Sequence, residues 1–148
     1  MYAASLRPLA AALLLGALPC AADERFVPSA DRSTVDDRQT GLRWQRDGSG
    51  KATDLKAAKH YCTHLRLGGH NNWRLPEVKE LISLVDEAHY KPSAFPVFIT
   101  VSNLYWSNTV NPKRPGLTWT VNFSDGHVHA FRQALDFSVR CVSDPAPS

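Results

Sequence analysis

The chain has 148 residues, which suits one domain with one core once a leader is set aside. Seventeen basic side chains against fourteen acidic ones give a net charge of +3, too mild a balance to point to nucleic acid. No Gly-x-y repeat is present, so the composition excludes a collagen-like stalk.

The first two dozen residues differ from the rest. One basic residue, Arg7, precedes an apolar run from Leu9 to Leu18, and small residues follow at Ala21 and Ala22 before Asp23. This order predicts a secretory signal peptide over 1–22, cut after Ala22. The run is shorter than the ~20 residues a membrane span needs. Cys20 is preceded by Ala17, Leu18 and Pro19, an order that disfavours a lipoprotein site. Cleavage takes the net charge to +2 and leaves two cysteines, Cys62 and Cys141. An even number in an oxidising compartment suggests a disulfide, the alternative being two separate buried thiols. The expected location is the periplasm or the medium.

Residues 23–32 read as a leader into the fold, 33–143 as the domain and 144–148 as a loose tail. Ser33 to Asp36 and Leu42 to Gln45 read as strands of a hairpin. The turn between them is Asp37-Arg38-Gln39-Thr40-Gly41. Thr53 is placed to cap a helix whose apolar stripe is Leu55, Ala58, Cys62 and Leu65, and Gly68-Gly69 to stop it. A second helix is expected from Pro76 to about Ala88 or His89, with Val78, Leu81, Ile82 and Val85 on its apolar face.

From Leu104 the pattern is β. Tyr105-Trp106 starts a strand, and Asn111 to Gly116 is a proline-bracketed loop. Trp119, Val121 and Phe123 alternate with polar residues, which predicts a buried Trp119. Ser124-Asp125-Gly126 is a hairpin turn, His127 to Arg132 returns, and Leu135, Phe137, Val139 and Cys141 alternate in a last strand. The fold class is therefore α+β: an N-terminal β-hairpin, two helices and a C-terminal antiparallel β-meander.

An ordered set of short matches carries a family resemblance. It comprises Thr34-Val35-Asp36, Thr40-Gly41-Leu42, Trp44-Gln45, Ala58 and Cys62, then Trp73-Arg74-Leu75-Pro76, Glu80-Leu81 and Tyr105-Trp106-Ser107. Gly126 and Val139-Arg140-Cys141-Val142 complete it. This set resembles the Lcl C-terminal domain family, bacterial domains named after a collagen-like adhesin. The resemblance implies a C-type-lectin-like fold with a bridge from the first helix to the final strand, at Cys62 and Cys141. Ala58 to Leu81 also resembles formylglycine-generating enzymes, which share that fold and act through a copper-binding cysteine pair. Here that pair would have to be Cys62 and Cys141, and a bonded sulfur is no thiolate.

Other chemistry is thinly supplied. Calcium needs six to eight oxygen ligands, and the late loops offer Asp125, Asp136 and a few asparagines, without the sugar-site motifs of calcium lectins. His60 and His64 lie one helical turn apart, and His127 and His129 are expected on one strand face. Each pair reads as solvated rather than as a zinc edge. No serine sits in a nucleophile elbow. Trp44, Trp73 and Trp106 read as core, and Arg74 as a structural arginine paired with an acid such as Glu80.

The loop with Lys113 and Arg114, together with His127, His129 and Arg132 on the adjoining hairpin, forms the candidate basic surface. The expectation is a non-catalytic binding or adhesion module without cofactor or metal. Its partner is a surface polysaccharide, an anionic glycan first, or an envelope protein. An oxidase on the same fold and a structural envelope subunit are the alternatives.

Overall fold

The computed structural model describes residues 24–146. The expected signal peptide and Cys20 lie outside these described residues. Ten elements follow in order: β1 (Phe26–Pro28), β2 (Thr34–Asp37), β3 (Arg43–Gln45), α1 (Leu55–His64), β4 (Trp73–Arg74), α2 (Val78–Ile82), β5 (Leu104–Val110), β6 (Leu117–Asn122), β7 (Val128–Arg132) and β8 (Val142–Ser143). They form two antiparallel sheets, β1-β2-β3-β8-β4 and β5-β6-β7. The domain is α+β, as its element pattern predicts.

The N-terminal hairpin turns through Gly41 at φ +77°, a backbone state that favours glycine. The expected leader is structured in part, since β1 adds to the hairpin with Phe26 opposite Asp37. Two charges missing from the strand pattern hold it there. The Arg25 guanidinium grips both carboxylate oxygens of the buried Asp37, at 3.0 and 2.8 Å.

Helix α1 is capped by Asp54, not Thr53. The Asp54 carboxylate accepts from the Ala57 N–H at 2.8 Å, while Thr53 bridges to the backbone of Phe137. The helix ends at His64, ahead of Gly68-Gly69, because Leu65 already has extended backbone. The two glycines instead turn the chain between Leu67 and His70. Leu55, Ala58 and Cys62 are buried, as their spacing predicts, and Cys62 is bonded to Cys141.

Helix α2 is one and a half turns, starting after Glu77 rather than at Pro76 and ending at Ile82 rather than near His89. Glu77 and Glu80 form a reciprocal capping box that fixes its start. Beyond Ile82 the chain follows successive turns, which bury Leu84 in place of the expected Ile82.

The C-terminal meander has three strands, not four. Leu135 is exposed, and residues 137–141 make only isolated bridges and single backbone bonds to their neighbours. The chain then leaves the meander, and β8 inserts between β3 and β4 of the first sheet. That insertion seats Cys141 under α1 and joins the two sheets.

Two apolar clusters fill the interior. One centres on Trp44, Leu81, Tyr105 and Phe123, the other on Trp73, Trp106 and the disulfide. Trp44, Trp73 and Trp106 are buried, as expected from sequence. Against Phe98 and Tyr105 of the first cluster lies Arg140, whose side chain is wholly buried. Its guanidinium donates to the carbonyls of Ile99 (2.6 Å) and Arg46 (3.2 Å) and to Thr100 Oγ1 (3.1 Å), and lies over Phe98 and Tyr105. Desolvation pulls its pKa down to about 10.

Candidate functional site

The meander carries the candidate site. Its β5–β6 loop is ordered by its own hydrogen bonds. Asn111 N–H donates to Leu117 O, Leu117 N–H to Arg114 O, and Lys113 N–H to Asn111 Oδ1 at 3.0 Å. The Asn111 side chain thus closes an Asx-turn that presents Lys113 and Arg114 as exposed residues.

Beneath the loop, β6 departs from the simple alternation its sequence suggests. Thr118 and Thr120 are fully buried, because each hydroxyl is satisfied inside. Thr120 Oγ1 donates to His129 O at 2.9 Å, and Thr118 Oγ1 accepts from Gln133 Nε2 at 3.1 Å. Trp119 therefore points to the opposite face and is only half-buried. The expected burial of Trp119 is corrected on this ground. Val121 and Phe123, farther along, do enter the core.

Trp119 forms the floor of a concave groove of about 410 Å³, with Leu117 and Ala130 beside it and Asn111, Pro112, Lys113 and Arg114 along one wall. An indole flanked by small apolar groups gives a flat stacking surface. Two cations on a proline-containing loop line the same groove. The arrangement suits a ligand with an apolar ring face and anionic substituents.

The other three basic residues do not all join this groove. Arg132 pairs with Leu117 in the β6–β7 register, so it lies on the same face as Trp119, at the loop end. His129 pairs with Thr120 and therefore faces the other side of the sheet. His127 is not on the strand at all. It sits in the turn at the far end of the hairpin, its N–H bonded to Asp125 Oδ1 at 3.0 Å and its Nδ1 3.2 Å from Oδ2. The five-residue basic surface thus resolves into Lys113, Arg114 and Arg132 on one face and two histidines elsewhere. Sequence reasoning missed the participation of Trp119. The usable signal was its polar neighbours, threonines with a hydroxyl that backbone carbonyls and amides can satisfy.

The remaining candidates are structural. Arg74 forks between Glu80 (2.8 and 2.9 Å) and Asp144 (2.7 and 2.9 Å), fixing α2 and the start of the tail to β4. Burial pushes the Glu80 carboxyl up, but the Arg74 guanidinium and the Glu77 N–H outweigh it and hold it below its ordinary value. Hydrogen bonds from Arg74 likewise lower Asp144. His60 and His64 stack at 4.0 Å, with the His64 Nδ1–H donating to the His60 carbonyl at 2.9 Å. Among the described residues no three His, Cys, Asp or Glu side chains converge as a metal-binding group. A smaller cleft of about 180 Å³ lies under Gly48 to Ala52 against Tyr105 and Ser138.

Among the described residues no helix is long and apolar enough to cross a membrane. A comparison with curated proteins gives no match. Residues 33–143, from the strand that starts the hairpin to the end of β8, match the Lcl C-terminal domain, and the chain belongs to that family.

Proposed function

We propose that this protein is an exported, non-catalytic binding module that holds an anionic surface polymer in the Trp119 groove. The observation that carries this reading is one juxtaposition: a half-buried indole lining the same groove as a hydrogen-bonded loop that bears Lys113 and Arg114. Aromatic stacking takes the ring face of a sugar, and the two cations take its carboxylate or sulfate groups. Arg132 extends the positive strip along the same face.

Two further points support the reading. Both sulfurs of the processed chain are joined in the Cys62–Cys141 bond, which leaves no thiolate for the copper chemistry of formylglycine-generating enzymes. The same bond is the one expected of a C-type-lectin-like fold, which we infer for this domain from the resemblance and its helix-to-last-strand staple. The bond also agrees with export to an oxidising compartment.

The test is binding of the purified, disulfide-intact protein to dextran sulfate and polygalacturonate, with neutral dextran as control. Binding should weaken as salt rises and fall at least tenfold in a Lys113→Ala/Arg114→Ala double variant. Equal binding by that variant, or equal binding of neutral dextran, removes this reading. An envelope protein as partner then takes its place.

A further inference from the structure

The cleft under residues 47–52 is separate from the Trp119 groove and shares no lining residue with it. Its roof is tied down at two points. Ser49 N–H donates to Val139 O at 2.9 Å, and Thr53 exchanges backbone bonds with Phe137 at 2.9 and 3.0 Å. Between these ties Gly50 turns the chain at φ +71°. Gly48 lets the roof approach its floor, since a Cβ there would stand 3.1 Å from Val139 O. The enclosed volume is about 180 Å³. A cavity of about 150 Å³ takes a molecule of benzene's size, so this one suits a ligand of about six to eight heavy atoms.

The floor holds donors whose protons are not used. Tyr105 is only 1% exposed. Its Oη lies between two residues that line the cleft: it accepts from the Val101 N–H at 3.1 Å and is 3.8 Å from the Cβ position of Gly48. That bond uses the oxygen and leaves the proton, for which no acceptor stands in reach among the described residues. Burial pushes the phenol's pKa up, so the proton stays in place. Ser138 is bridged to Tyr105, and its Oγ accepts from Asn103 Nδ2 at 3.4 Å, which likewise leaves a proton to give. The buried Arg140 guanidinium stands 5.6 Å from the Tyr105 ring centre, with its Nε unpartnered and no carboxylate paired to it among the described residues. This end of the cleft therefore calls for an anionic acceptor.

Two opposite charges line the same cleft, Asp47 and Lys51. Both are exposed, and neither is paired with the other or with another charged side chain among the described residues. We propose that the cleft binds a small zwitterion, an α-amino acid with a short aliphatic side chain. The carboxylate of the ligand takes the Tyr105 and Ser138 protons and the Lys51 charge. Its ammonium takes Asp47, and its side chain lies against Val101. A simple anion would leave Asp47 unanswered, and a simple cation would leave the floor donors without an acceptor. No residue of the Trp119 groove takes part, so this site stands or falls apart from the polymer-binding reading.

The Gly48 and Gly50 amide signals of the ¹⁵N-labelled protein, followed as alanine of either hand is added to about 50 mM, test this. At least one enantiomer should give saturable shifts with a Kd of about 1–10 mM, as suits a ligand of about six heavy atoms. Propionate lacks the ammonium and alaninamide lacks the carboxylate, and each should bind at least tenfold more weakly. Lys51→Ala and Asp47→Asn change exposed side chains, and Tyr105→Phe removes only the buried hydroxyl. Each should weaken alanine binding at least fivefold with an unchanged circular dichroism spectrum. No saturable shift from either enantiomer overturns the proposal, as does propionate or alaninamide binding as well as alanine. Undiminished binding in any of the three variants overturns it too, and so does binding that moves the Trp119 indole signal while Gly48 stays fixed.

Discussion

Trp119 stands directly across from Ala130 in the β6–β7 register, and its side chain is only half-buried. The other three tryptophans are at most 3% exposed. Iodide or acrylamide should therefore quench mainly Trp119. The accessible fraction of the emission should vanish in Trp119→Phe and survive in Trp73→Phe.

The same contrast separates site from core. Trp119→Ala should cost about 1–2 kcal/mol of stability, as expected for a half-buried ring, and abolish groove binding. Trp106→Ala should cost about 3–5 kcal/mol, because its whole side chain is buried and its Nε1–H donates to Thr53 O at 2.8 Å. Urea denaturation of the two variants measures both.

The Cys62–Cys141 bond closes a loop of 79 residues between two wholly buried side chains. The chain-entropy treatment gives about 4.5 kcal/mol for such a loop. Alkylation without reductant should add no mass to the folded, exported protein. A Cys62→Ala/Cys141→Ala variant should lose about 3–5 kcal/mol by urea denaturation.

Arg140 is an anchor for the segment that follows Phe98. It is a buried cation whose donors reach two carbonyls and Thr100, while Ile99 and Val101 on either side of Thr100 stay exposed. Arg140→Ala should cost about 3–5 kcal/mol, since it leaves those acceptors unpaired and a cavity beside Tyr105. Arg140→Lys should recover only part of this, because an ammonium lacks the planar fork. Amide hydrogen exchange should show 99–101 opening first in both variants.

Acid should weaken the domain through a defined set of carboxylates. Asp37, Glu80 and Asp144 are all held below their ordinary values. For Asp37 and Glu80 burial works the other way, but arginine pairing and backbone N–H groups overcome it. A depressed folded-state pKa means the stabilisation is complete above the unfolded value, near pH 4, and is lost as pH falls through the lower folded values. Unfolding free energy should thus be flat from pH 7 to 5 and fall below about pH 4. Arg74→Met should remove about 1 kcal/mol of that fall after allowing for solvent screening of its half-exposed pairs.

Much of this fold was legible in residue order. The hairpin around Gly41, the buried stripe of Leu55, Ala58 and Cys62, and the Arg74–Glu80 pair all follow from local pattern or simple chemistry. What was not legible depended on partners distant in sequence. Thr118 and Thr120 read as solvent-facing until Gln133 and the His129 carbonyl satisfy their hydroxyls. Their burial turns Trp119 outward. Arg140 lies between the inward-reading Val139 and Cys141 in sequence, yet the carbonyls of Arg46 and Ile99 hold it inside as well. His127 and His129 read as neighbours on one face, but Gly126, at φ +80°, completes a turn that leaves His127 outside β7. Periodicity sees apolar spacing and cannot see a hydrogen bond closed across the fold.

The site reading meets its most direct test in the indole N–H signals of the ¹⁵N-labelled protein, followed while a sulfated oligosaccharide is added to saturation. Our account predicts that the Trp119 resonance moves with the binding isotherm while those of Trp44, Trp73 and Trp106 stay fixed. Saturable binding with an unmoved Trp119 resonance would contradict it.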